Sequence, residues 1–135
     1  MPIIIKVLGV LVYLFFFFTF SFTCLMDHGI ITPEYYIENY KQDKSTKKKK
    51  SKICEKCNVV MDNSKRIVHC EECNICIMGY DHHCPWSSKC IGKNNLSMFN
   101  KFIFGLFLQI GYLTVSALIT AIFADFDKYK KKNKL

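Results

Sequence analysis

The sequence predicts a membrane α-helical protein, in which two transmembrane helices flank a small zinc-stapled, cysteine-rich cytosolic domain of short β-hairpins and loops. Two uncharged apolar runs, residues 7–26 and 102–124, are 20 and 23 residues long. The polar segment between them, residues 27–101, holds seven of the eight cysteines and all four histidines. Because this segment is too short to bury a large core, we expect a metal or disulfide staple.

Each apolar run is long enough to cross a bilayer, because ~20 helical residues match a hydrocarbon core of ~30 Å. We therefore place transmembrane helices at residues 1–26 and 102–124. The first run could instead be a signal peptide, but it is long, and "SFTCLM" at its end is a poor cleavage site. A retained span is the favoured interpretation, with Cys24 an ordinary buried thiol.

The net charge of +8 comes largely from seven lysines in residues 41–52 and five in residues 128–135. These clusters define a basic cytosolic linker, residues 27–53, and a basic tail, residues 125–135. They are either solvated or attracted to anionic lipid headgroups, at about 1 kcal/mol per lysine. Without an arginine fork or interleaved aromatic residues, they predict no nucleic-acid partner.

The lysines after the first run place the central segment in the cytosol by the positive-inside rule. Cytosolic thiols stay reduced, which favours metal binding over disulfides. The C-terminal lysines conflict with this orientation, because two spans with a cytosolic centre put both termini on the lumenal side. The side of the C-terminal tail therefore stays open.

Ten cysteines and histidines between residues 54 and 90 follow the pattern C-x-x-C, then H-C-x-x-C-x-x-C, then H-H-C and a last cysteine. This pattern is a strong zinc signal. Two tetrahedral ions need eight ligands, so two of the ten residues are spare and are candidates for chemistry. The ten are Cys54, Cys57, His69, Cys70, Cys73, Cys76, His82, His83, Cys84 and Cys90.

A zinc-stapled binding module would account for the spacing of the cysteines. The D-H-H-C run at residues 81–84 favours catalysis instead. A nucleophilic cysteine needs a base and a group that orients the base, whereas a structural ligand needs neither. A RING-like ubiquitin ligase is a third class, but the order of cysteines and histidines does not fit it.

Residues 54–99 resemble the DHHC-type protein S-acyltransferases, the palmitoyltransferases. The resemblance rests on the motifs above together with D-H-H-C-P-W, C-I-G at 90–92 and N-x-x-x-F at 95–99. It defines a DHHC cysteine-rich zinc domain at residues 54–99. The "DHG" at 27–29, followed by Pro33, resembles a degraded Asp-Pro-Gly motif. The two apolar runs then correspond to the second and third spans of the family.

The resemblance also implies a role for each residue. One structural zinc ion would be held by Cys54, Cys57, His69 and Cys76, and the other by Cys70, Cys73, His83 and Cys90. Cys84 would be the acyl-accepting nucleophile, His82 its base, and Asp81 the residue that orients His82.

The substrate would be a long-chain acyl-CoA such as palmitoyl-CoA, whose phosphates need basic partners. The candidates are Lys65, Arg66, Lys89 and Lys93, each of which could equally be an ordinary solvated side chain.

We therefore predict a membrane-bound protein S-acyltransferase that moves an acyl group from acyl-CoA to a protein cysteine through an acyl-Cys84 intermediate. The alternative is a non-enzymatic, membrane-tethered zinc module that binds or regulates partner proteins. The predicted partners are the bilayer, acyl-CoA and cysteine-containing protein substrates, and a homo- or hetero-oligomer is left open. The predicted location is the endoplasmic reticulum, Golgi or plasma membrane, as a multi-pass protein with its catalytic domain in the cytosol.

The sequence also departs from the family pattern, which has four spans and a Thr-Thr-x-Glu motif after the last one. Ser87, Ser88 and Lys89 stand where the family has Val-Asn-Asn. We therefore expect a truncated chain, or a reduced member that depends on a partner. Since four helices wall the acyl pocket in the family, activity is the open question.

Overall fold

The computed structural model describes residues 2–40 and 52–133. Apart from Lys52, the predicted lysine cluster of the linker lies outside these residues. The chain forms two compact units, one of residues up to Thr19 and from Lys101, the other of Phe20–Asn100. In chain order the elements are α1 (Ile3–Leu25), α2 (Pro33–Tyr40), β1 (Lys52–Ile53), β2 (Val60–Met61), a 3-10 turn (Asn63–Lys65), β3 (Val68–Cys70), β4 (Ile75–Ile77), β5 (His82–Cys84), β6 (Lys89–Ile91) and α3 (Leu96–Lys132).

Helix α1 contains the first apolar run except its last residue, Met26, and ends just before a turn formed by the Asp27 side chain. The Asp27 carboxylate accepts the backbone N–H groups of Gly29 (3.0 Å) and Ile30 (3.4 Å). Such local bonds offer the backbone an alternative to the helix. Gly29 has a φ of 96°, a conformation that residues with a Cβ rarely adopt. The "DHG" segment is therefore the stop signal of α1.

Helix α3 is longer than the second apolar run. It begins at Leu96 and continues to Lys132, so the part of the predicted basic tail that is described is helical almost to its end. No proline or glycine interrupts residues 112–132. Lysines fill the last turn, where positive charge interacts favourably with the helix dipole.

In the first unit, α1 and α3 pack through aromatic rings and a glycine. The rings of Phe16 and Phe102 lie 5.7 Å apart, and a Cβ added to Gly105 would lie 3.3 Å from the Cα of Phe16. The Tyr112 hydroxyl donates to the Ile5 carbonyl at 3.0 Å. The other faces of both helices expose large apolar side chains. Both helices are long and apolar enough to cross a membrane.

The second unit contains three antiparallel two-stranded hairpins, β1–β2, β3–β4 and β5–β6. The predicted arrangement of two apolar helices flanking a cysteine-rich domain of short hairpins is thus confirmed. The sequence analysis did not predict α2, which lies within the segment assigned to the linker. The Thr32 hydroxyl accepts the N–H of Tyr35 at 3.2 Å and caps the start of this helix.

The core of the second unit is small. Its largest fully buried side chains include Ile67, Ile77, Ile91 and Val59. Four of the cysteines are buried within or beside this core. Isolated two-stranded hairpins are marginally stable in water. We therefore expect the fold of this unit to depend on a link between the cysteines, such as a shared metal ion.

Candidate metal centres and cysteine nucleophile

The first cluster collects residues from β1–β2 and β3–β4 around the ring of His69. Its Nδ1 lies 3.4 Å from Sγ of Cys54, 3.3 Å from Sγ of Cys57 and 3.7 Å from Sγ of Cys76. All four candidate ligand atoms lie within 4.8 Å of one another. These are the same four residues that the family resemblance assigns to one zinc ion.

The second cluster repeats this arrangement around His83. Its Nδ1 lies 3.7 Å from Sγ of Cys70, 3.3 Å from Sγ of Cys73 and 3.6 Å from Sγ of Cys90. The Cys73 and Cys90 sulfurs are 3.3 Å apart. The structure thus also brings together the second predicted ligand set.

Both clusters fit a tetrahedral metal ion by distance and by charge. With Zn–S near 2.3 Å and Zn–N near 2.0–2.1 Å, the sulfur and nitrogen atoms of a tetrahedral site lie ~3.6 Å apart, as they do here. Burial and the neighbouring thiols Cys54 and Cys57 raise the pKa of Cys76, and burial with Cys70 and Cys73 raises that of Cys90. A central cation would offset this repulsion between thiolates, as metal binding does in such sites.

The alternation of side chains along a strand explains why the ligands of the two clusters are interleaved in sequence. Neighbouring residues of a strand point to opposite faces. His69 and Cys70 are consecutive in β3, so one joins the first cluster and the other joins the second. The same rule separates His83 from its neighbours in β5. His83 faces the second cluster, and His82 and Cys84 lie on the opposite face.

The three hairpin turns share one local geometry. Cys54, Cys70 and Cys84 each begin a turn whose fifth residue has a positive φ: 56° at Asn58, 54° at Asn74 and 50° at Ser88. Asparagine tolerates this conformation, which suits short C-x-x-C turns. The fourth residue is Cys57 or Cys73 in the two metal turns. These shared positions make the Cys84 turn a third copy of the metal turn.

In the third copy, the fourth residue is Ser87, so the second thiol of a metal turn is missing. This explains how Cys84 keeps the position of a ligand cysteine and yet belongs to neither cluster. The spacing C-x-x-S at residues 84–87 repeats the earlier C-x-x-C, and this signal for a third turn was missed in the sequence analysis.

Asp81, His82 and Cys84 form a chain of polar contacts on the face away from the metal clusters. Nδ1 of His82 lies 3.0 Å from Oδ2 of Asp81. Burial disfavours the imidazolium, but the hydrogen bonds of His82 with Asp81 and Cys84 outweigh it and raise the pKa of His82. The Asp81 contact occupies Nδ1 of His82 and leaves its Nε2 outside that contact.

The Cys84 thiol is buried, with 3% of the residue exposed. Burial raises its pKa, but hydrogen bonds from the Ser87 side chain and backbone, from His82 and from the Trp86 backbone lower it further, to below the ordinary value. Backbone N–H groups at the same places in the metal turns lower the pKa values of Cys54 and Cys70. The turn geometry that suits a metal thiolate thus also favours the thiolate of Cys84.

Phe99 supports the His82 ring from the first turn of α3. The two rings meet edge to face with centroids 5.1 Å apart. Nearby, the buried Asn95 accepts the Gly92 N–H at 2.9 Å and donates to the Cys90 carbonyl at 3.1 Å. The N-x-x-x-F motif therefore joins α3 to the β5–β6 hairpin and orients the candidate base. The sequence analysis had assigned no role to these two residues.

The main chains of three of the four residues predicted to bind CoA hydrogen-bond to one backbone segment, Met78–Tyr80. The carbonyls of Lys65 and Arg66 accept the N–H groups of Gly79 and Tyr80, both at 3.1 Å, and the Lys93 N–H donates to the Met78 carbonyl at 2.9 Å. The structure places the fourth, Lys89, elsewhere. Its ammonium donates to the carbonyls of Cys24 and Met26, at 2.8 Å each.

Comparison with known proteins gives one matching family model and several curated relatives. The family model described as DHHC palmitoyltransferase matches residues 47–135. The chain is 33% identical over 78 residues to Palmitoyltransferase ZDHHC15 of Rattus norvegicus, which covers 58% of this chain and 21% of the relative. It is 38% identical over 78 residues to Probable protein S-acyltransferase 13 of Arabidopsis thaliana, covering 56% and 25%.

A fungal relative, Palmitoyltransferase PFA3 of Candida glabrata, is 31% identical over 78 residues, covering 58% of this chain and 21% of the relative. The chain thus spans about a fifth to a quarter of the length of these curated relatives. The family match covers the two metal clusters and the D-H-H-C segment described above. The chain belongs to the DHHC palmitoyltransferase family.

Proposed function

We propose that this chain is a membrane-bound protein S-acyltransferase that moves a long-chain acyl group from acyl-CoA to a protein cysteine, through a thioester on Cys84. The observation that supports this most directly is the Asp81–His82 contact of 3.0 Å, on a face that excludes the metal ligands. A structural cysteine has no use for an oriented imidazole beside it, whereas a nucleophile does.

Two zinc ions would be held by the two clusters of three cysteines and one histidine. Each set has four ligands and would close a tetrahedron, so the ions would supply structure rather than an open position for substrate. Their contribution would be to hold β5 and the Cys84 turn in place.

In the first half-reaction, His82 accepts the proton of the Cys84 thiol, and the thiolate attacks the acyl carbonyl of the CoA thioester. The carbon–sulfur bond to CoA breaks, and the departing CoA thiolate takes the proton back from His82. Asp81 holds the ring and stabilises the imidazolium between these transfers. The low exposure of Cys84 would keep water from hydrolysing the resulting thioester.

In the second half-reaction, the thiol of a protein substrate gives its proton to His82 and attacks the acyl-Cys84 thioester. Cys84 leaves as the thiolate and is protonated by His82. The enzyme is thereby restored, and the acyl group has moved between two sulfurs. This order predicts ping-pong kinetics.

The CoA phosphates would meet the positive charges of Lys65, Arg66 and Lys93, whose main chains all hydrogen-bond to the segment Met78–Tyr80. Arginine binds phosphate in two-bonded geometry and lysine as a point charge. The ammonium of Lys89 has three N–H donors, and two of them bond to carbonyls. Only the third could bind a CoA phosphate.

The membrane assignment rests on α1 and α3, which we propose as transmembrane helices, with the cysteine-rich domain in the cytosol. Substrate proteins and the acyl chain would both reach Cys84 at the bilayer. The relatives named as palmitoyltransferases support palmitoyl-CoA as the acyl donor. An endomembrane or the plasma membrane is the proposed location.

The test is autoacylation of the purified chain in detergent with labelled palmitoyl-CoA. We expect an adduct that hydroxylamine removes, present in Cys24→Ser and absent in Cys84→Ser. Cys24 is the matched control, because it is the other cysteine outside both clusters. No adduct on folded protein with two bound zinc ions would contradict the proposal and favour a non-enzymatic zinc module.

A further inference from the structure

We propose that Lys89 is a positioning residue, which holds the Cys84 hairpin against the last turn of α1. The proposal rests on the proposed function, because it takes Cys84 as the nucleophile. It gives Lys89 a role different from the phosphate contact that the sequence suggested. It also concerns a departure of this chain from the family pattern, which has asparagine at this place.

The first observation is the register of the hairpin. Cys84 and Lys89 are direct partners across β5 and β6. Directly opposed residues of an antiparallel pair project from the same face, with Cβ atoms ~4.5–5.5 Å apart. Lys89 therefore lies beside the nucleophile, on the face away from the metal cluster. Contacts that hold the Lys89 side chain therefore also hold the strand position directly opposite Cys84.

The second observation is what the ammonium contacts. Nζ donates to the carbonyls of Cys24 and Met26 at 2.8 Å each. The last four carbonyls of a helix lack partners within the helix and carry the negative end of its dipole. A lysine that donates to the Cys24 carbonyl of the last turn and to the Met26 carbonyl just after it is therefore both a hydrogen-bonding cap and a favourable charge.

A third observation is that no described carboxylate competes with these carbonyls for the Lys89 ammonium. Within residues 2–40 and 52–133, no carboxylate oxygen lies within 4.0 Å of Nζ of Lys89. The partially negative carbonyl oxygens of Cys24 and Met26 thus serve as the partners of a half-buried ammonium. Asn95 adds a weaker contact of the same kind, donating to the Thr23 carbonyl at 3.5 Å. Side chains on both sides of the Gly92 turn therefore reach the same helix end.

These contacts fix the distance between the nucleophile and the end of an apolar helix. A misplacement of ~1 Å can cost about 100-fold in rate even when the chemistry is intact. Methionine at position 89 would keep the length of the side chain but donate no hydrogen bond. The cap of α1 would then be lost, and the Cys84 turn would move relative to it.

The test compares wild type with Lys89→Met and Lys89→Arg. The control is Lys52→Met, which removes the same charge from an exposed position in β1. Hydrogen exchange of the peptide covering residues 20–30 reports the cap without any need for activity. We expect faster exchange in Lys89→Met, wild-type exchange in Lys52→Met, partial recovery in Lys89→Arg, and two zinc ions in all four. Unchanged exchange in Lys89→Met would overturn the proposal, whether or not the protein is active.

Autoacylation separates positioning from phosphate binding. For Lys89→Met we expect the maximal rate to fall about 10- to 100-fold, with the half-saturating concentration of palmitoyl-CoA unchanged. The opposite result is an unchanged maximal rate with a raised half-saturating concentration of palmitoyl-CoA, and no difference from wild type when palmitoyl-dephospho-CoA is the donor. That result would overturn the positioning role in favour of a phosphate contact. If wild type forms no acyl adduct but Lys89→Met still exchanges faster, the enzymatic function is contradicted, whereas the capping role of Lys89 is supported.

Discussion

His83 faces Cys90 directly across the β5–β6 hairpin, with Nδ1 of one 3.6 Å from Sγ of the other. Because strand residues alternate between faces, this pairing turns the neighbours of His83 away from the metal cluster. One strand of three residues therefore serves a structural site and a candidate nucleophile at once. A shift of register by one residue would exchange the two roles.

Cys84→Ser and Cys90→Ser should have different effects, although the two residues are six positions apart. Cys84→Ser should keep two zinc ions and the fold but lose the acyl adduct. Cys90→Ser should lose zinc first and activity as a consequence, since it removes a ligand. Zinc content and autoacylation are measured on the same preparations. Loss of zinc from Cys84→Ser, or normal acylation by it, would show that the role of Cys84 is assigned wrongly.

The adjacent histidines allow a second comparison. His82→Ala should retain zinc and acylate more slowly by about 10²- to 10⁴-fold, the usual cost of losing a general base. His83→Ala should lose one zinc ion, because its Nδ1 faces three sulfurs. Single-turnover acylation and elemental analysis distinguish the two variants. Equal zinc loss in both would contradict the separation of faces.

Metal content should determine whether the second unit folds. Wild-type protein should contain two zinc ions, and Cys73→Ala should release the ion of the second cluster and unfold the hairpins around it. Metal binding in such modules is folding free energy, and the core of this unit is small. Near-ultraviolet circular dichroism with elemental analysis tests this. One zinc ion or none in well-folded wild-type protein would refute the assignment.

The proposed topology predicts that residues 27–101 face the cytosol. A glycosylation acceptor introduced near position 48, which lies outside the described residues, should remain unmodified in microsomes. An acceptor appended after Leu135 should be glycosylated if both helices cross. Efficient glycosylation near position 48 would show that the orientation is the reverse of the proposed one.

Two glycines of α3 should respond differently to a larger side chain. A Cβ at Gly105 would lie 3.2 Å from Cδ1 of Phe15 and 3.3 Å from Cα of Phe16, whereas nothing lies within 4 Å of one at Gly111. Gly105→Leu should therefore destabilise the α1–α3 packing by about 1–3 kcal/mol, and Gly111→Leu should not. Thermal unfolding in detergent compares them. Equal melting temperatures would argue against this packing.

The sequence by itself determined the chemistry available to this protein. Two uncharged runs are long enough to span a bilayer, and ten thiols and imidazoles at metal-turn spacing favour two ions with two residues left over. These conclusions follow because length, charge and local spacing depend only on neighbouring residues. The sequence also placed an acid, a base and a thiol within residues 81–84. It missed α2, whose cap and short helix gave too weak a local signal.

Only the tertiary structure decided which residues meet. From spacing, the ten candidates could be divided between two ions in many ways, and the register of three hairpins selects one of them. Strand alternation separates His82 and Cys84 from His83, and Lys89 finds its partners more than 60 residues away. Such contacts depend on backbone register and on the end of a distant helix, which no local pattern of residues encodes.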